Sequence, residues 1–306
     1  MEENKEKNVV NEEQETLPKG MILCKTCGAK MAKKAKKCPS CGAKNKKPIY
    51  KRFWFWVLAI IVLFFIVKAI KRSGLDVKKP SAKLTADEII KEFYEGEEKG
   101  ESKYKDTVVA ITGKVGNIEE DCFYIDTFAE LSTFFSVCVK PADKSVLTSL
   151  KKDSVITVSG ICDGKSLGSI DIEKAIIDSS FAVNPDYNSP MTVPITTLMQ
   201  AYKDNEVSAD AQYWGKTVEF TGEVRYIADT NGYIVVVPEG QGKSLDSVLD
   251  GIMVFFEKAS DFEQLKNDAN PDALGSPKNT FKVTLTGVCY GEAFGYDAQV
   301  CRAKVK

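Results

Sequence analysis

The chain is predicted to be multi-domain: a small cysteine-rich module, one long apolar helix, then two mainly-β barrels, each preceded by a helix. Three observations predict this. Two C-x-x-C pairs stand close together near the N-terminus, an uncharged apolar stretch follows them, and the rest reads as two copies of one strand-rich unit.

Residues 1–20 are charged, poor in aromatic residues and without helical or strand periodicity. Such a segment buries too little apolar surface to offset its ordering entropy, so it is predicted to be a disordered tail. In the next segment, 21–47, Cys24 and Cys27 form one C-x-x-C, and Cys38 and Cys41 form the other, each followed by a glycine (Gly28, Gly42). Four thiolates so spaced can close a tetrahedron around Zn²⁺ at ~2.3 Å per sulfur, and glycine supplies the positive φ of a tight knuckle. A redox C-x-x-C requires a βαβ setting that is absent, and two disulfides require an oxidising compartment. C-x-x-C-G paired with C-P-x-C-G resembles the short zinc-ribbon modules at the N-termini of many bacterial membrane proteins. One structural Zn²⁺ held by Cys24, Cys27, Cys38 and Cys41 is the expectation. The surrounding lysines, Lys30, Lys33, Lys34, Lys36, Lys37, Lys44, Lys46 and Lys47, have three readings: nucleic-acid contact, attraction to anionic lipid, and setting of topology with compensation of the thiolate charge. With no aromatic residue among them for base stacking, lipid and topology are the stronger pair.

Phe53 to Ile70, FWFWVLAIIVLFFIVKAI, is uncharged except for Lys68. As a helix its 18 residues span about 27 Å, close to a ~30 Å hydrocarbon core. Phe53, Trp54, Phe55 and Trp56 crowd one end, as aromatic residues do at a membrane interface, and Lys68 can snorkel at the other. A transmembrane helix over 53–70 is therefore predicted, with the lipid bilayer as partner. Nine basic residues precede it from Lys33 to Arg52 and six follow from Lys68 to Lys83. That excess, with four thiols best kept reduced, places the N-terminus in the cytoplasm and the C-terminal domains outside.

The overall net charge of -1 conceals two opposite halves. Residues 1–83 carry 20 Lys and Arg against 7 Asp and Glu, whereas 84–306 carry 22 against 36. After a polar linker, 71–83, the repeat begins. A shift of 109 residues superimposes Tyr104 on Tyr213, Val109 on Val218, Gly113 on Gly222, Val115 on Val224 and Tyr124 on Tyr233. Further on, a shift of 127 superimposes Gly160 on Gly287 and Cys162 on Cys289. Two domains follow, 84–183 and 191–306. Each opens on a helix; Thr85-x-x-Glu88 is a capping box before Ile89, Ile90, Phe93 and Tyr94, while Pro194 stands at the corresponding place in the second copy. Alternating apolar residues then mark a first strand through Val109, Ile111 and Val115, or Val218, Phe220 and Val224, and further strands at 122–126, 134–139, 154–162 and 170–177, and at 232–237, 252–256, 281–289 and 297–304. Gly113 and Gly222, inside the first strands, predict a bend or bulge. Short helical runs, 143–150 and 261–266, separate the third and fourth strands. Five strands with a helix between the third and fourth is the order of an OB-fold.

The segments KYKDTVVAITGKV and QYWGKTVEFTGEV, each following a helix, and the later SGIC and TGVC resemble the tRNA-anti-like OB-fold family, over nearly all of 84–306. The resemblance implies the fold and an envelope location. It implies no settled biochemical role.

Histidine is absent, which excludes Ser-His-Asp and Cys-His catalysis. There is no Asp-x-Asp-x-Asp-Gly calcium loop, and GKSLGS (164–169) lacks the strand–loop–helix setting of a phosphate loop. No catalytic residue and no enzyme activity is predicted. Cys122, Cys138, Cys162, Cys289 and Cys301 read as buried small hydrophobes, with Cys289 and Cys301 as a candidate cross-strand pair. OB-folds bind oligonucleotides or oligosaccharides, yet the acidic excess of 84–306 argues against nucleic acid there. The expectation is a non-enzymatic binding or scaffolding protein of the bacterial envelope, for a glycan, peptide or protein ligand. The alternative is a membrane-tethered nucleic-acid-binding protein. Tyr and Phe are present, among them Phe123, Tyr124, Phe134, Phe135, Tyr233, Phe255 and Phe256, most of them at strand positions a core would claim.

Overall fold

The structure is a computed structural model and describes residues 18–45, 53–129, 136–166, 168–242 and 250–306. Most of the predicted tail, together with Lys46, Lys47, Phe134 and Phe135, lies outside the described residues. The chain divides into two compact units, Met1–Ser73 and Gly74–Lys306.

In the first unit, β1 (Met21–Leu23) and β2 (Lys30–Ala32) pair antiparallel as a minimal hairpin around the first cysteine knuckle. Its core is small: Cys24, Met31 and Cys38 are buried, with Ile22, Ala29, Ala35 and Ala43 against them. The predicted apolar helix forms as α1 (Phe53–Ser73), 21 residues that reach three beyond Ile70 into the expected linker. Its large side chains, Phe53, Trp54, Leu58, Ile61, Phe64 and Phe65 among them, are exposed on every side. Among the described residues no helix is long and apolar enough to cross a membrane, so the predicted transmembrane helix over 53–70 is not borne out.

The second unit contains two barrels. In the first, β4 (Val108–Ile118), β5 (Phe123–Asp126), β6 (Ser136–Pro141), β7 (Val155–Ser166) and β8 (Ser169–Ile177) close in the order β4-β5-β6-β8-β7 and back to β4. In the second, β10 (Thr217–Ala228), β11 (Tyr233–Val237), β12 (Ile252–Phe256), β13 (Lys282–Cys289) and β14 (Ala298–Val305) close in the same way. In each, the third and fifth strands run parallel (β6–β8, β12–β14) and the remaining pairs of the closed ring antiparallel. This is the five-stranded OB topology the strand order predicted.

Each barrel is plugged at one end by its N-terminal helix, α2 (Ala86–Glu95) or α4 (Ile195–Asp204). The capping box forms: Glu88 N–H donates to Thr85 Oγ1 at 3.2 Å, and Thr85 N–H donates to Glu88 Oε2 at 2.6 Å. Ile89, Ile90 and Phe93 are buried as predicted, whereas Tyr94 is exposed. In α4, Leu198 and Tyr202 are buried, joined by Ile195 and Met199, with Pro194 as an N-cap without a side-chain bond. Between the third and fourth strands the first barrel has a 3-10 turn (Lys144–Thr148) and the second a full helix, α6 (Ala259–Ala269).

Four elements were not predicted. Helices α3 (Glu97–Tyr104) and α5 (Glu206–Tyr213) follow α2 and α4, and short strands β3 (Ala82–Thr85) and β9 (Met191–Thr192) pair parallel with β4 and β10. The second helix of each pair is fixed through one tyrosine: Tyr104 packs on Phe93 and Tyr213 on Tyr202, each at 6.4 Å between ring centroids. Because β3 spans Ala82–Thr85, the polar linker ends before residue 82.

The two barrels are fastened to each other. Phe128 and Ala129 of the first share a buried cluster with Val288, Tyr290 and Cys301 of the second. Lys91 of α2 pairs with Asp210 of α5 and lies 4.4 Å over the Trp214 ring. Arg302 grips Glu257 through Nε (2.7 Å) and Nη2 (3.0 Å), donates to Val183 O at 2.9 Å, and sits over the Phe128 ring at 4.6 Å. The loop carrying Phe128 is held by Asp87, which accepts from the N–H groups of Phe128 (3.1 Å) and Ala129 (2.8 Å).

Asp87 is fully buried, and that burial pushes its carboxyl up to about 6, against the pull of the Ala129 and Phe128 N–H groups. The unfolded value is ~3.9, so folding favours the protonated form here. This group's contribution to stability is therefore greatest below pH ~4 and is lost as pH rises through the folded value. The stability of Asp87→Asn relative to the natural protein should accordingly improve as pH rises from ~4 to ~7, measured by chemical denaturation at each pH. A difference that stays constant with pH would contradict the assignment. Taking the difference cancels the carboxylates that respond the other way, such as Asp143 and Asp178, whose values are lowered by bonds to Ser145 and Ser180.

Candidate metal centre and ligand face

The four predicted cysteines converge. The sulfurs of Cys24, Cys27, Cys38 and Cys41 all lie within 4.8 Å of one another, with Cys24–Cys41 and Cys27–Cys38 at 3.7 Å. Two equivalent knuckles build the site. In the first, Gly28 N–H donates to Cys24 O and Cys24 N–H to Ala29 O; in the second, Gly42 N–H donates to Cys38 O and Cys38 N–H to Ala43 O. Both turns need a residue at positive φ, supplied by Gly28 (φ 73°) and Gly42 (φ 71°). Cys24 and Cys38 are buried, and Cys27 and Cys41 face solvent.

The electrostatics of this cluster call for a cation. The Cys24 thiol is lowered to about 6, chiefly by the backbone N–H of Thr26, 3.5 Å from its sulfur. The Ala43 N–H pulls Cys41 the same way, yet the neighbouring sulfurs Cys27, Cys24 and Cys38, with burial, push it up to about 12. Four thiolates cannot share so small a volume without a positive charge between them. A soft, all-sulfur, roughly tetrahedral donor set suits Zn²⁺ or iron and not the oxygen-seeking Mg²⁺ or Ca²⁺. The four cysteines can thus hold a metal ion.

The second surface lies on the barrel wall of the C-terminal domain. Inward-facing Ile234, Val236, Ile252 and Val254 fill its core; the alternate residues point to the other side of the wall, where Val235, Val237, Met253 and Tyr296 are buried in a second apolar cluster and Tyr226, Tyr233 and Phe255 are partly exposed against it. Among these, Tyr233 is the hub of an aromatic cluster: Phe255 is 5.4 Å away, Tyr226 6.3 Å and Tyr296 6.5 Å, between ring centroids. Tyr233, Phe255 and Tyr296, with Asn231, Met253 and Phe294, line a cleft of ≈ 200 Å³. Phe294 is exposed and adopts φ 52°, a left-handed conformation that a bulky residue takes only under constraint. Tyr226, Asn231 and Tyr233 wall a neighbouring groove of ≈ 820 Å³, completed by the end of α6 and the 270–275 loop. Lys266, the lysine of that groove, is already paired with Asp229 and lies 3.8 Å from Glu263.

Sequence reasoning named Tyr233 and Phe255 among strand aromatic residues of which a core would claim most; these two lie on the other side of the barrel wall and are partly exposed. It missed Tyr226, Phe294 and Tyr296 altogether. Phe123 is buried in the first barrel as expected, and Phe256 packs on Phe262. The candidate pair Cys289 and Cys301 is corrected. Cys289 is opposite Val300 and Cys301 opposite Val288, so the two sulfurs lie on opposite faces of the sheet, Cys289 in the barrel core and Cys301 in the cluster between the barrels.

Comparison with known proteins agrees with this topology. The tRNA_anti-like family matches twice, over residues 44–176 and 171–292. The chain belongs to the tRNA_anti-like family. No curated protein is a significant match. Among solved structures, a lipoprotein of Klebsiella pneumoniae subsp. pneumoniae MGH 78578 with an attributed nucleic-acid-binding role is 12% identical, with a TM-score of 0.28, covering 31% of this chain and 90% of its own. The Ifi202 HINa domain in complex with a 20-base-pair double-stranded DNA is 12% identical, with a TM-score of 0.21, covering 66% and 96%. A murine DNA-binding protein bound to double-stranded DNA is 14% identical, with a TM-score of 0.18, covering 65% and 93%. Likenesses this loose carry no argument about ligand.

Proposed function

We propose that this tRNA_anti-like protein is a membrane-anchored, non-enzymatic binding protein of the bacterial envelope. Its zinc ribbon lies in the cytoplasm, and the C-terminal barrel takes an uncharged oligosaccharide on its aromatic face. One observation carries the ligand assignment: the partly exposed rings of Tyr226, Tyr233 and Phe255, packed on buried Tyr296, border a groove whose lysine is already neutralised by Asp229. Aromatic rings offer flat apolar area to a sugar or a base alike. A polyanion also needs unpaired cations along its path, and 84–306 carries 36 acidic against 22 basic residues.

Anchoring is supported by α1. Its residues 53–67 are uncharged and their large side chains are exposed, a pattern that suits lipid far better than water. The basic residues of 33–52 favour the cytoplasmic side for the ribbon, where thiolates stay available for Zn²⁺.

The same rings would stack bases, which is what keeps a membrane-tethered nucleic-acid binder as the second reading. One set of measurements separates them. Full-length protein in detergent should ignore labelled single-stranded DNA and RNA at physiological salt and should bind neutral oligosaccharides drawn from an envelope digest. Tyr233→Ala should weaken that binding about tenfold, the equivalent of ~1.4 kcal/mol. Protease added to intact spheroplasts should remove the barrels and spare the ribbon. Micromolar single-strand binding with a steep salt dependence would replace the first reading by the second, and digestion of the ribbon alone would reverse the orientation.

A further inference from the structure

The first barrel differs from the second at the face just described. Tyr124 is opposite Cys138 across β5 and β6, as Tyr233 is opposite Phe255 across β11 and β12. Cys122 stands two residues before Tyr124 and Cys138 two before Lys140, so Cys122, Tyr124, Cys138 and Lys140 share the outer side of one hairpin. Where the second barrel has an aromatic cleft, the first has two thiols. Both are buried, Cys122 at 7% and Cys138 at 6% exposure, and each thiol's titration responds to the other. The other cysteines of the second unit are dispersed: Cys162 in the core of the first barrel, Cys289 in that of the second, and Cys301 between the two.

We propose that Cys122 and Cys138 are a disulfide-forming site that staples the base of the β5–β6 hairpin. The two residues take diagonal positions on one face, and diagonal neighbours of a regular sheet, ~7–8 Å apart, lie beyond disulfide range unless the backbone moves. Cys122 permits the adjustment. It precedes β5 by one residue, in a turn closed by Glu119 N–H donating to Cys122 O at 2.8 Å. The hairpin also matters to the rest of the unit, because its Phe128 and Ala129 are the contacts offered to the second barrel.

The oxidant is a disulfide, either of a small thiol or of an oxidised dithiol protein. The thiolate of Cys122 attacks one oxidant sulfur and expels the other as a thiolate; the thiolate of Cys138 then attacks the Cys122 sulfur and expels the second. Two protons pass from the protein thiols to the two released thiolates, and the two electrons gained by the oxidant come from the Cys122 and Cys138 sulfurs, oxidised as they bond to each other. Burial raises both thiols, Cys138 to about 12, and Glu119 Oε2 lies 3.7 Å from the Cys122 sulfur, so closure within the folded barrel is slow. Once formed, the bond is equally shielded from reductants. It is a structural staple and not a reversible switch.

Formation in the cell rests on the extracytoplasmic placement of the barrels proposed above, whereas closure in vitro does not. Full-length protein should be isolated with thiols blocked at lysis, digested, and its peptides weighed. The expected product joins the Cys122 and Cys138 peptides and is lighter than their sum by two hydrogens, with Cys162, Cys289 and Cys301 modified only after unfolding. In parallel, reduced full-length protein is incubated with oxidised glutathione. The same cross-link should appear, and the Tm of the barrels should rise by on the order of 5–10 °C above that of the reduced protein and of Cys122→Ser. Closure with glutathione but free thiols in the cell supports the site and overturns the orientation. No cross-link with glutathione, or one that joins either residue to another cysteine, overturns the site.

Discussion

Replacing Cys38 by serine will unfold residues 18–45 and abolish metal binding by the four-cysteine site. Three facts make the expected effect large. The module buries only Cys24, Met31 and Cys38, and its two strands are three residues each, so apolar burial cannot offset the ordering of its chain. Both knuckles close on the sulfur-bearing residues themselves, through Gly28 to Cys24 and Gly42 to Cys38. Binding of a structural Zn²⁺ is worth ~10–16 kcal/mol in such modules, and that free energy is folding free energy. Full-length protein should contain about one zinc per chain by elemental analysis, and Cys38→Ser close to none. Amide exchange at Gly28 and Gly42 should become fast in the variant and equally fast after treatment of the natural protein with a strong chelator. Slow exchange that persists without metal would mean that the knuckles are held by something other than Zn²⁺. Barrel stability should not change in either case, because the ribbon and the barrels belong to separate units.

What the sequence disclosed, and what it withheld, follows the range of the physics involved. The cysteine knuckles are local, each set by five or six consecutive residues, so their spacing carried nearly the whole site. Strand alternation is local as well, and the repeated glycines fixed the correspondence between the barrels. The elements that escaped are those with little pattern of their own. In EEKGESKY, the sequence of α3, Tyr104 is the one large apolar residue, and what holds that helix is the Phe93 ring from the preceding one. Strands β3 and β9 are only four and two residues long and exist because β4 and β10 offer them an edge. Pairing of cysteines failed for a different reason. Which face a residue takes depends on strand register, and the register of β13 and β14 shifts between Thr286 and Val288, a bulge that no spacing of Cys289 from Cys301 reveals. The aromatic face combines β10, β11, β12 and the loop before β14, and it exists only once the barrel has closed.

Gly113→Ala will lower the Tm of the barrels by on the order of 5–10 °C, and Gly113→Val by more. The sequence suggested a bend or bulge at this glycine, but the register shift in β4 falls between Val115 and Ile118, and Gly113 itself stays paired with Ile156. Its role is space. A Cβ there would lie 2.3 Å from Ile125 Cγ2, 2.7 Å from the Asp126 carbonyl oxygen and 3.0 Å from Ala86 Cβ. The carbonyl belongs to β5 and Ala86 opens α2, so the strand and the plugging helix would both have to move, and neither is a flexible side-chain tip. Gly222 repeats the arrangement against Val236 Cγ1, Val237 O and Ile195 Cδ1, at 2.6, 2.6 and 2.8 Å. The two copies thus keep glycine where the first strand passes beneath the start of its helix. Overpacking of a well-filled core costs about 1–3 kcal/mol, and a β-branched residue adds two methyl groups to the same clash. Gly96→Ala serves as the control. It lies between α2 and α3 at φ -175°, with Lys99 Cβ at 3.5 Å as the nearest obstacle, so its Tm should stay within a degree or two of the natural protein's. Calorimetry on the three variants tests the argument, and a Gly113→Ala protein that melts with the natural one would refute the close approach of β4, β5 and α2.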